Sequence, residues 1–132
     1  MQPIGATLFS SKTDKVLTPG THGSTFGANL VASAGALCVM KRLDDKLLYG
    51  VKRKGEYFKK ELLKFAKVKS VSGLGLMLGV EIEGDIKDAL KRAMDKGLLL
   101  LTAKDKLRLL PPLNISYKLI NRGLNILKEV LS

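Results

Sequence analysis

Apolar positions follow two different periods along this chain. Leu47, Leu48, Val51, Phe58, Leu62 and Phe65 recur near every 3.6 residues and so line one face of a helix. Gly50 and Gly55 fall inside that stretch. Glycine costs about 1 kcal/mol relative to alanine in a helix interior, so a break or kink is expected there. Further on the period shortens. Leu76, Leu78, Val80 and Ile82 alternate with Met77, Gly79, Glu81 and Glu83, the pattern of a half-buried strand. Asp85 can cap a helix carrying Ile86, Leu90, Ala93 and Met94 on one side, with Gly97 as its stop. Leu98–Thr102 and Lys106–Leu110 read as two strands around a turn at Ala103-Lys104-Asp105. Pro111-Pro112 ends the second, since proline has no N–H for a ladder. Ser116 then caps a last helix with Ile120, Leu124, Leu127 and Leu131 inward. From Val68 onward the order β-α-β-β-α closes into a small α/β layer with a mainly antiparallel three-stranded sheet.

The front of the chain is patterned otherwise. Pro3–Ser10 (PIGATLFS) reads as a short buried strand, closed by the polar run Ser11-Lys12-Thr13-Asp14-Lys15. A loop of turn formers follows, Thr18 to Gly27, in which glycines let main-chain N–H groups come close to a ligand. Asn29 is a candidate N-cap for a long helical region. The opening of that region, Ala32-Ser33-Ala34-Gly35-Ala36, is small enough to call for a close backbone neighbour. Cys38 lies among Ala36, Leu37, Val39 and Met40 and reads as a small buried hydrophobe, not a reactive thiolate. A lone buried strand cannot satisfy its own backbone groups, so residues 1–28 look like a piece of something larger.

Composition narrows the choices. The chain has 132 residues, with 23 Lys+Arg against 12 Asp+Glu, a formal charge of +11. One Cys and one His leave no disulfide framework, and a structural metal site is not expected. No apolar run approaches the ~20 residues of a membrane span, so a soluble, cytoplasmic protein is expected. The basic residues between Lys41 and Lys69 interleave with the apolar helical stripe, as a solvated helix face does. Aromatic residues are 5% of the chain, too few for a stacking platform, which argues against a nucleic-acid partner.

Three segments in register carry a resemblance: PIGATLFS (Pro3–Ser10), HGSTFGANLVASAGAL (His22–Leu37), and GLGLMLGVEI (Gly73–Ile82) with LRLLPPLNIS (Leu107–Ser116). Together they resemble the class III, fold-type I, pyridoxal-phosphate (PLP) aminotransferases, nearest the acetylornithine branch, over that family's C-terminal third. The resemblance implies that residues 1–28 are a remnant of the PLP-binding large domain, comprising its last strand and glycine loop. Residues 29–67 would be the interdomain helical region, and residues 68–132 the C-terminal small α/β domain.

It also implies roles. Thr25 matches the threonine that reaches the PLP phosphate of the neighbouring subunit, which makes a homodimer or other self-association expected. Ser24 matches a position touching the acylated substrate. Arg108 matches the arginine whose planar fork pairs with a substrate carboxylate. Gly73 and Gly75 sit where the family packs backbone closely. The lysine that forms the Schiff base lies upstream of the PIGA strand in that family, so no catalytic residue is expected in this chain and the chain alone should be inactive. The implied reaction moves the terminal amino group of N-acetylornithine to 2-oxoglutarate, a step of arginine biosynthesis. Departures are Gly27-Ala28-Asn29-Leu30 in place of Gly-Gly-Asn-Pro, and Ser72 where a basic residue is frequent. A positive φ at position 28 would strain Ala28.

The competing readings are a non-catalytic truncated module, which self-associates or pairs with a complete aminotransferase subunit, and a basic nucleic-acid binder. His22 is expected to be a loop hydrogen-bonder, and Glu81 and Glu83 a solvated strand face.

Overall fold

The computed structural model describes residues 3–13 and 15–132. Met1 and Gln2, at the head of the expected large-domain remnant, and Asp14, in the expected polar run, lie outside the described residues. The chain packs as two compact units, Met1–Asp44 and Asp45–Ser132.

In the first unit a series of turns leads to one helix, α1 (Leu30–Met40). Asn29 caps it as expected, its side chain accepting from the Ala32 N–H at 3.0 Å. Pro3–Ser10 forms no strand, and each of its residues is exposed. The expected buried strand is therefore absent. A strand needs partners for its N–H and C=O groups, and no strand lies among the described residues of this unit. The burial expected at Cys38 fails for a related reason: it is exposed. The apolar residues of α1 surround the helix instead of forming one stripe, so burying one side would leave the others in water. Nor does a neighbour press on the small residues at Gly35, where an added Cβ would meet nothing within 4 Å.

The second unit begins with α2 (Asp45–Leu62), which runs unbroken through Gly50 and Gly55. The expected break does not occur because Gly55 is a contact point. A Cβ placed on it would stand 2.1 Å from the Gly75 carbonyl oxygen, so only a bare backbone permits the approach. Two hairpins supply a four-stranded sheet. The first joins β1 (Val68–Leu74) to β2 (Met77–Ile82). After α3 (Ile86–Asp95), the second joins β3 (Leu101–Ala103) to β4 (Lys106–Leu109), and α4 (Tyr117–Val130) closes the chain. The strand order is β1-β2-β4-β3, antiparallel throughout.

The expected helices of this unit are present, and its sheet has one strand more than expected; β3 is displaced from the expected Leu98–Thr102, since Leu98–Leu100 lie outside it and Ala103 falls within it. β1 hides its period, since its buried residues Val68 and Val71 stand three apart and its register shifts between Val68 and Ser70. Its hairpin turns at Gly75-Leu76, with φ +56° at Gly75, a conformation costly for other residues, while Leu76 folds back into the core.

The core gathers Val71, Leu78, Val80, Leu107 and Leu109 from one face of the sheet with apolar residues of the helices. Asp85 and Ser116 cap α3 and α4 as expected. In α3 the buried stripe centres on Ala89 and Ala93, leaving Met94, expected on the inner side, 57% exposed. Arg92 reaches from α3 to the carbonyls of Glu129 and Val130, and Lys96 pairs with Glu129 at 2.7 Å. Two cations thus meet the carbonyl end of α4, where the helix dipole favours them.

Candidate functional site

Alternation along β4 determines where Arg108 points. Leu107 and Leu109 enter the core, so Lys106 and Arg108 stand on the opposite face of the sheet, both half-buried. The register sets Ser72, Gly79, Arg108 and Leu101 in one row across the four strands. In the adjoining row Ser70 faces Glu81, and Ala103 faces Lys106. Ser70 Oγ donates to Glu81 Oε2 at 2.7 Å, and Lys106 Nζ stands 4.0 Å from the same oxygen. Among the described residues no carboxylate pairs with Arg108. A mostly apolar cavity of about 170 Å³ touches it, with Leu99, Leu101, Leu110, Pro111 and Leu119 in the lining. A half-buried guanidinium beside apolar walls is a strong receptor for a planar carboxylate.

Ser24 and Thr25 occupy a turn of the first unit, in which the Gly27 N–H donates to the Ser24 carbonyl at 3.4 Å. Both are exposed. Ser24, Gly5, Gly27 and Asn29 line a cavity of about 510 Å³. Ala28 holds φ +55°, so the strain anticipated at this position is present. Hydroxyl groups next to a helix N-terminus are the kind of donor that suits an anion such as a phosphate oxygen. Ser24 and Thr25 share this turn, whereas Arg108 belongs to the other unit. His22 is exposed. Glu83 is exposed and Glu81 half-buried against Ser70 and Lys106. Lys52, Arg53, Lys59 and Lys60 lie on the solvent side of α2, opposite Phe58 and Leu62. Among the described residues no helix is long and apolar enough to cross a membrane.

Sequence reasoning reached Arg108 through the resemblance and passed over Lys106 and Gly79. The signal was available: a residue two before or two after Arg108 on its strand shares its face.

A small antiparallel α/β domain follows a glycine-rich turn and a helix, and its half-buried Arg108 has no carboxylate partner among the described residues. Residues 2–131 match the family of class-III aminotransferases, and the chain belongs to it. It is 47% identical over 132 residues to the acetylornithine aminotransferase of Haemophilus ducreyi, covering 98% of this chain and 34% of that protein. It is 45% identical over 130 residues to that of Aquifex aeolicus, covering 98% of this chain and again 34% of the relative. In three dimensions it is similar to the crystal structure of acetylornithine aminotransferase from Elizabethkingia anophelis. The TM-score is 0.74 at 27% identity, over 89% of this chain and 33% of that one. The chain thus spans about a third of the length of the relatives it matches.

Proposed function

We propose that this segment serves a PLP-dependent transamination in which N-acetylornithine gives its terminal amino group to 2-oxoglutarate. PLP supplies the electron sink for that chemistry when bound. On this reading Arg108 holds a substrate carboxylate, Ser24 contacts the acylated amino acid, and Thr25 donates to the phosphate held by a neighbouring subunit. Residues 1–28 belong to the cofactor-binding domain, 29–67 to the interdomain helices and 68–132 to the small domain. On this reading the family's Schiff-base lysine has no counterpart among these 132 residues, which by themselves turn over no substrate. A cytoplasmic homodimer completes the reading. The exposed apolar residues of α1, with Leu30 86% and Val31 70% accessible, favour association with a second copy.

The observation that carries the proposal is Arg108 itself, half-buried and without an acidic partner among the described residues. An arginine kept so for structure alone would be expected to have one. The test is steady-state kinetics of the full-length aminotransferase carrying Arg108→Lys. Loss of the two-pronged geometry raises KM for the carboxylate substrates roughly 10- to 100-fold. An unchanged KM would reject the role.

A further inference from the structure

Aromatic content alone argues against a nucleic-acid partner, but the fold concentrates the rings that are present. The chain has three tyrosines, Tyr49, Tyr57 and Tyr117, and all of them belong to α2 and α4. On α2, Tyr49, Arg53 and Tyr57 follow at four-residue steps and so share a face. The Arg53 guanidinium lies over the Tyr49 ring, 5.9 Å from its centroid. On α4, Tyr117, Asn121 and Asn125 repeat the same step. The two stripes meet where Tyr57 and Tyr117 pack edge to face, their centroids 5.4 Å apart. There the Tyr57 hydroxyl donates to Asn121 Oδ1 at 2.7 Å.

Cations border this strip. Two open cavities of about 430 and 740 Å³ flank α4, and Asn121 and Asn125 line both. Their walls carry Lys64, Lys96, Lys118, Arg122 and Lys128 against the two carboxylates Glu61 and Glu129. Glu61 pairs with Lys64 and Glu129 with Lys96, each at 2.7 Å. Lys118, Arg122 and Lys128 are exposed and have no acidic partner among the described residues.

We infer that the α2–α4 surface binds single-stranded nucleic acid. Unstacked bases pack on Tyr49 and Tyr117, which are 64% and 43% exposed, while phosphates follow Lys118, Arg122 and Lys128. The amides of Asn121 and Asn125 meet base edges. From Tyr117 to Lys128 the strip runs about 16 Å along the helix, which suits consecutive nucleotides and not a single one. A duplex keeps its bases stacked on one another and leaves the tyrosines without partners. Arg108 stands on the opposite face of the sheet from the core that these helices cover, so the inference is independent of its proposed role.

The experiment follows the fluorescence anisotropy of a labelled oligoadenylate of about 16 nucleotides with the full-length aminotransferase over a salt series. Binding is expected to weaken as salt rises, and an unlabelled duplex of the same length to compete poorly. Lys118→Gln combined with Arg122→Gln is expected to flatten the slope of log K against log salt by about 1.4, two phosphate contacts at about 0.7 each. Tyr49→Ala and Tyr117→Ala are each expected to weaken binding roughly 10-fold and leave the slope alone, because stacking releases no counterions. Tyr117→Phe keeps the ring and should bind within about 2-fold of the parent. Thermal melting verifies the fold of each variant, and Tyr49→Ala removes a ring whose recorded contact is with exposed Arg53 alone. Absence of binding at low salt overturns the inference. If the basic variants weaken binding while both tyrosine-to-alanine variants bind as the parent does, the surface attracts polyanions without reading bases, and the inference falls.

Discussion

The two units of this chain are comparably rich in apolar residues and differ almost completely in what they bury. Among the described residues, Ala32 is the one buried apolar side chain of the first unit, and the remainder of the core belongs to the second. Leu8, Phe26 and Leu30 are each more than four-fifths exposed. In the second unit α2, α3 and α4 each present a stripe to one face of a sheet, and every stripe has a surface to meet. Hydrophobicity supplies the drive to bury, but only complementary surfaces turn it into structure.

Separating the units would test this contrast most severely. Residues 45–132 alone are expected to melt cooperatively near the transition of the whole chain, and residues 1–44 alone to show no cooperative melt, as followed by circular dichroism. A cooperative melt of 1–44 would break the comparison. Next in size is the pair of glycines on α2. Gly55→Ala sets a methyl group against the Gly75 carbonyl and is expected to destabilise by about 3 kcal/mol in denaturant titration. Gly50→Ala, with nothing within 4 Å of its new Cβ, should instead stabilise by about 1 kcal/mol through helix propensity. The smallest effect comes from the two non-glycine residues at positive φ, Ala28 at 55° and Lys104 at 56°. Lys104→Gly is expected to raise stability by about 1 kcal/mol. Ala28→Gly, with the same relief of strain in the first unit, should leave the global transition unmoved. Equal shifts would show the units to be energetically one.

These contrasts also mark what the sequence can reveal. α3 and α4 were legible because each carries its own period and a local cap, and β2 because its buried positions alternate along the strand. β1 was obscured because its register shift breaks the alternation within a seven-residue strand. Pro3–Ser10 was misread because its apolar pattern describes a strand only where other strands exist to pair with it. At Gly55 propensity pointed to a break, whereas the contact that explains the glycine involves Gly75, twenty positions further on. The site divides similarly. Ser24, Thr25 and Arg108 were visible by resemblance, since nothing local distinguishes them from ordinary loop and strand residues. The contacts of Lys106 with Gly79 and Glu81 follow from the strand register, which no local pattern announces.

The meeting of Gly55 with the Gly75 carbonyl has a consequence for how this fold can change over time. Helix and hairpin touch there main chain to main chain, with no side chain between them to yield. Neither position can accept a larger residue alone, and a substitution at one would have to wait for the hairpin tip to be rebuilt around it. That spot is a fixed hinge pin, around which the rest of the surface is free to drift.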